Sequence, residues 1–166
     1  MRSARELFQH EVEEMYDGTQ RLVEALGPMG KKVSHPDVSK MLDELRTATE
    51  EQVRRLEETF QLMGEEPRRS ESKIMKGFID SFSSFVSEEK PEKEALDLEV
   101  AEVASDVASY LMDTWESMLL LAERSGVSSA APKIGDFLHV SHKEEKKLSK
   151  DIGKLLEPLI ELLPAA

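Results

Sequence analysis

The run from Pro36 to Pro67, PDVSKMLDELRTATEEQVRRLEETFQLMGEEP, constrains the fold more tightly than any other stretch of the chain. Its apolar residues step by four and three through Val38, Leu42 and Leu45 and resume at Leu56 and Met63, with Thr49, Gln52 and Thr59 on the same line. That period belongs to one long helix with a single stripe facing a core. The stripe is apolar at both ends and polar in the middle. Polar groups at mid-height in a helical bundle either hold metal ions or occupy the place where ions would be held.

A stripe of this length needs partners of its own kind, and the rest of the chain supplies them. The eight glycines and seven prolines fall mostly at breaks between long periodic runs, and β-branched alternation is nearly absent. These features predict an all-α protein, read as one domain over residues 1–166 with a core large enough to need neither disulfides nor a structural metal. There is no cysteine, which excludes thiolate metal sites, cysteine catalysis and disulfide staples. A formal net charge of -12 argues against nucleic acid or an anionic membrane as a partner, because phosphate binding needs a cationic face. No apolar run approaches the roughly 20 residues of a membrane span. The N-terminal MRSARELFQHEVEEMYDG is charged throughout and lacks a signal-peptide core, so a cytoplasmic protein is expected.

Taken in order, the first helix is expected from about Ala4 to Ala25, with Phe8, Val12, Met15, Thr19, Leu22 and Leu26 in phase, and with Gly27-Pro28 ending it. Ser34-His35-Pro36-Asp37 then supplies capping oxygens and a proline at the start of the second helix. The loop is short, so these two helices form an antiparallel hairpin. Gly64 suits a left-handed cap, and Pro67 prevents the second helix from resuming. The segment at about 71–88 carries Met75, Phe78, Ile79, Phe82, Phe85 and Val86 on one broad face and reads as a short crossover helix. The third long helix, roughly Glu92 to Arg124, is apolar along its whole inward face, from Val100 through Ala104, Ala108 and Leu111 to Trp115, Met118 and Ala122. The fourth is expected from near Ser129 towards Leu156, with Ile134, Leu138, Ser141, Glu145, Leu148 and Ile152 inward. Pro158 should kink or stop it, leaving an apolar tail at about 157–166.

Two hairpins joined by a long connection with its own short helix make an up-down-down-up four-helix bundle. A carboxylate-bridged dimetal bundle asks two helices for one glutamate each and the other two for a glutamate and a histidine one turn apart, all inward. At the matching height this chain offers Thr19, then Thr49 and Gln52, then Ala108 and Leu111, then Ser141 and Glu145. One carboxylate stands where hard ions want about six oxygens each. A rival set is His139, His142 and Glu145, spaced by three, but both histidines are offset from the seam and Lys143, Glu144, Lys146 and Lys147 mark a wetted face. Two surface histidines are the plainer account of that spacing. A buried lone carboxylate is costly, so Glu145 is expected to meet Gln52, Thr19, Thr49 or Ser141, with the protonated form open to it. The chain has no Gly-x-Ser-x-Gly elbow, no Gly-rich phosphate loop and no His-Glu-x-x-His helix.

Four landmarks, LFQHEVEEMYDGTQRLVEALGPM, EEQVRRLEETFQLMGEEP, IMKGFI and SMLLLAERSG, stand in an order and at separations that resemble the YciE/YciF-like family of ferritin-like bacterial stress proteins. The similarity runs from about Arg5 to Leu148. It implies a ferritin-like four-helix bundle with a crossover helix between helices two and three, commonly assembled as a dimer. It also implies inward acids and histidines suited to two metal ions, and here the residues depart from the family. The helix-one glutamate falls on Thr19, and the helix-two glutamate falls on Thr47 or Ala48 with the histidine or glutamine position on Gln52. The helix-three cluster falls on Ala108, Ser109 and Leu111, and the helix-four acids on Val140, Ser141 and Glu145. Only Gln52 and Glu145 keep suitable atoms, so the dimetal site is read as degenerate.

Two functions are compatible with this sequence. The first is a non-catalytic, metal-free bundle acting as a structural or interaction protein, with a stress association implied by the resemblance alone. It would self-associate as a homodimer or other homo-oligomer through the apolar surplus of Phe78, Phe82 and Phe85 and of the tail from Leu159 to Leu163. The second is an oxidoreductase or metal-storage protein using iron or manganese at an unconventional site around His142 and Glu145. The missing carboxylates argue against an enzyme.

Overall fold

In the computed structural model, which describes residues 3–165, the chain forms α1 (Ala4–Gly30), α2 (Pro36–Leu62), α3 (Lys73–Glu89), α4 (Lys93–Arg124), α5 (Val127–Ala130) and α6 (Pro132–Glu161). The periodicity places the stripes correctly. All six in-phase residues of α1 are buried, as are those of α2 except Met63, which caps its end and is half-buried. Helix α2 closes as a Schellman cap: Gly64 takes φ +74°, its N–H donates to the Gln61 carbonyl at 3.0 Å, and the Glu65 N–H reaches back to Phe60 at 2.9 Å.

The helices α1 and α2 form one hairpin and α4 and α6 the other, with α1 beside α4 and α2 beside α6. Asp97, near the start of α4, bonds Ser34 and His35 in the α1–α2 loop, so α4 starts where α2 starts and runs parallel to it. The order is therefore up-down-down-up. Between the hairpins the chain returns along α1, where Arg68 meets Glu13 at 2.6 Å and the Ser72 N–H meets Asp17 at 2.9 Å, and α3 then packs on α1 and α4. Gly18 permits this approach, since a Cβ there would stand 3.1 Å from Ser72 Oγ. One contiguous apolar core, with Trp115, Phe8 and Phe60 its largest buried side chains, runs through all six helices. Among the described residues no helix is long and apolar enough to cross a membrane.

Both prolines expected to end helices lie inside them. Helix α1 continues through Pro28 to Gly30, and α6 through Pro158 to Glu161. In each case the bond lost at proline falls in the last turns, and the carbonyl it frees, on Glu24 or Lys154, belongs to an exposed residue that water can satisfy. The residue after each proline, Met29 or Leu159, meanwhile stays on the buried stripe. Leu159 thus belongs to the core, at 3 % exposure, and so does Phe82, at 5 %, which faces inward from α3. Neither is free to serve the self-association surface expected of them, whereas Phe78, Phe85 and Leu163 are half-buried. Phe78 leans on Tyr110 of α4 with ring centroids 6.0 Å apart. The start of the fourth long helix is also corrected: Gly126, at φ +75°, opens the short α5, and α6 begins only at Pro132.

Candidate functional site

The antiparallel run of α2 and α6 brings Gln52 opposite Glu145, and both are fully buried. Gln52 Nε2 donates to Glu145 Oε1 at 2.9 Å. The amide oxygen Gln52 Oε1 and the second carboxyl oxygen Glu145 Oε2 are buried with no hydrogen-bond partner. Burial pushes the Glu145 carboxyl up from 4.5 to about 7; the Gln52 amide pulls it down and the neighbouring Glu144 adds to the rise.

The alcohols on the same rungs do not join this pair. Thr19 Oγ1 donates to the Met15 carbonyl and Thr49 Oγ1 to the Leu45 carbonyl, each at 2.7 Å, and Thr59 Oγ1 donates to Arg55 at 2.8 Å. A threonine inside a helix satisfies its hydroxyl this way, four residues back, without leaving its own backbone. Ser141 Oγ accepts from Arg55 Nη1 at 3.4 Å. The same guanidinium grips Glu144 with two bonds of 2.7 and 2.8 Å, a bidentate tie between α2 and α6. The expected polar layer is therefore a two-residue pair flanked by self-satisfied threonines.

A pair of divalent ions does not fit these groups. The set contains one carboxyl, an amide that turns its nitrogen to that carboxyl, and hydroxyls whose protons are committed to the backbone, against about six oxygens per hard ion. The rival trio does not converge either: His139 is exposed and His142 half-buried, while Glu145 lies wholly inside. Among the described residues no group of three or more His, Asp or Glu side chains could hold a metal ion.

Two further buried carboxyls were not picked out by spacing. Asp17 accepts from Arg21 Nε at 2.6 Å, Arg69 Nε at 2.8 Å and the Ser72 N–H at 2.9 Å. Burial would raise its pKa, but the bonds from Arg21, Ser72 and Arg69 outweigh that and hold the carboxyl below the ordinary aspartate value. Asp97 accepts from the Ser34 N–H at 2.7 Å, the Ser34 hydroxyl at 2.6 Å and the His35 N–H at 3.0 Å. A signal for Asp97 existed, since it sits one turn before Ala101 and Ala104 on the α4 stripe. Asp17 is off the α1 stripe and carries no such mark. His35, which shows no partner pattern in the sequence, caps α2 by accepting the Asp37 N–H on Nδ1 at 3.2 Å.

Residues 3–162 match the family model described as a domain of unknown function, DUF892. The chain belongs to DUF892. This DUF892 bundle is similar in structure to the E. coli stress protein YciF, with a TM-score of 0.87 and 20 % identity over 98 % of this chain and 100 % of that one. It is similar too to YcfI of Rhodopseudomonas palustris, provisionally named a structural protein, with a TM-score of 0.83 and 22 % identity over 92 % and 94 % of the two chains. The resemblance to the YciF-like family therefore holds, and the fold is ferritin-like. No curated protein matches this chain.

Proposed function

We propose that this DUF892 protein is a metal-free, non-catalytic member of the ferritin-like group, a cytoplasmic structural or interaction protein associated with stress. The observation that carries the reading is the Gln52–Glu145 pair: at the height where a dimetal bundle needs converging carboxylates, one carboxyl is bonded to an amide and the nearby threonines bond their own helices. The stress and structural associations follow the names of YciF and YcfI. Purification from cells grown with added iron or manganese, followed by elemental analysis, tests it. Metal well below one equivalent per chain is expected, and two equivalents would overturn the reading.

Self-association belongs to the same proposal. Ile74 on α3 is 55 % exposed, and Ile160 and Leu162 at the end of α6 are 52 % and 53 % exposed. Phe78 lies one turn from Ile74, Leu163 follows Leu162 in the chain, and Phe85, further along α3, is half-buried. Covering them in a homo-oligomer would be favourable by about 25 cal/mol per Å² of apolar area. Sedimentation should show a dimer or higher order, with Ile74→Glu or Leu162→Glu shifting it towards monomer. A wild-type chain that stays monomeric at high concentration would remove this part of the proposal.

A further inference from the structure

Where relatives of this fold would place an ion, this chain has two buried oxygens with nothing to accept from. We propose that a proton shared between Glu145 and Gln52 is a working part of the fold: it locks α2 against α6, and its loss with rising pH loosens that seam.

A carboxylate only accepts, and a primary amide offers two N–H donors and one carbonyl. With Glu145 ionised, one N–H···O bond forms, and Gln52 Oε1 and Glu145 Oε2 are left as acceptors in a dry interior. A single proton on Oε2 makes it a donor, and Gln52 Oε1 is the acceptor on the residue already bonded to the same carboxyl. Acid and amide then meet head to head through two bonds, and both orphaned oxygens are satisfied. Of the other buried atoms without a partner among the described residues, Trp115 Nε1 is a donor but bonds neither of these oxygens, and Ser128 sits in α5, at the end of the bundle.

No neighbouring charge can replace the proton. On α2, Arg55 is one turn from Gln52 and is held bidentately by Glu144. On α6, Glu144 points outward to that arginine and His142 is half-buried. Helix α1 contributes Thr19, bonded to its own backbone, and its buried acid Asp17 is turned to Arg21, Arg69 and Ser72. The α4 stripe at this height, Ala108, Leu111 and Trp115, has no titratable group. Burial of the Glu145 carboxyl agrees with a proton held to about pH 7.

The seam that this proton closes has a way to open. Polar ties between α2 and α6 are the Gln52–Glu145 bond, the Arg55 guanidinium on Glu144 and Ser141, and a Lys133–Glu58 contact of 3.0 Å. Towards the start of α2 the two helices part around an open groove of about 480 Å³. It is lined by Ala48, Glu51, Glu144 and Leu148, the immediate helical neighbours of Gln52 and Glu145. The pair itself is covered, one residue or one turn behind that lining. The folded state binds the proton more tightly than the unfolded one, so the stabilisation is complete below pH 4.5 and is lost as pH rises through about 7.

Urea denaturation of the full chain from about pH 5 to about pH 8, for wild type and Glu145→Gln, tests this. The variant keeps a neutral two-bond pair and has nothing to lose, so the wild-type folding constant should fall roughly 70-fold further than the variant's across that range. Parallel pH profiles would overturn the proposal. Should Glu145→Gln fail to fold, carbon-13 titration of wild-type glutamate carboxyls stands in: one buried resonance with a midpoint near 7 is expected, and none apart from the surface glutamates overturns it. The proposal rests on the metal-free reading, because a bound ion would keep Glu145 ionised, so both measurements are run before and after chelation. A pH dependence that emerges only after chelation supports the proton pair and overturns the metal-free reading.

Discussion

Asp97 and Glu145 are acids hidden in one bundle, and the protein treats them in opposite ways. Asp97 receives three hydrogen bonds, two of them from backbone N–H groups; Glu145 receives one, from a side chain. The difference lies in where free amides exist. At helix ends and in loops the backbone N–H groups are unclaimed, whereas along a helix each is bonded to the carbonyl four residues back. Asp97 faces the α1–α2 loop, and Asp17, although mid-helix, faces the irregular segment before α3. Glu145 stands between the middles of two helices, where only side chains can answer it. An acid in an all-helical core is supplied with donors when it faces a chain break, and must keep a proton when it faces helix interiors.

Removing Asp97 strikes that comparison hardest. Asp97→Ala strips the acceptor from two amides and a hydroxyl at the bundle end and should destabilise by about 3 kcal/mol in urea denaturation; a loss below about 1 kcal/mol would mean that loop amides are as well served by water. Next in size, Asp17→Asn should lower stability by about 2 kcal/mol at neutral pH. Its sign with pH is opposite to that of Glu145. A depressed aspartate stabilises above its ordinary value of 3.8 and loses that contribution as pH falls through its lower folded value. Asparagine has no carboxyl to protonate there, so the variant's stability should fall less steeply than the wild type's as pH drops, giving a flatter acid limb. The smallest effect belongs to the pair itself. Replacing Gln52 and Glu145 together by leucine leaves no orphaned polar atom and should change stability by about 1 kcal/mol or less, or raise it. A large loss in that double variant would show that the pair has a partner beyond these two residues.

Much of the candidate site was legible because it follows from phase. Thr19, Thr49, Gln52, Ser141 and Glu145 all fall on rungs drawn from the sequence, and all are buried. Phase could not say which of them touch. A threonine hydroxyl can turn to its own helix or across the gap, and only the spacing of the helices decides; here every threonine on these stripes turned back. The same limit explains the tail. Leu159 sits in phase beyond a proline, and whether the stripe survives Pro158 depends on the surface waiting beneath it.

The order of four long stripes, the interrupted middle of two of them and the want of an inward carboxylate at mid-height on α4 are properties of the chain read residue by residue, and the sequence alone determined them, because helical periodicity is local. Tertiary structure decided which polar atoms are partnered: a carboxyl and an amide 93 positions apart, an aspartate closing a loop from another helix, an arginine reaching across a seam. Those outcomes depend on how closely, and at what height, separate helices approach, and no spacing within one helix contains that distance.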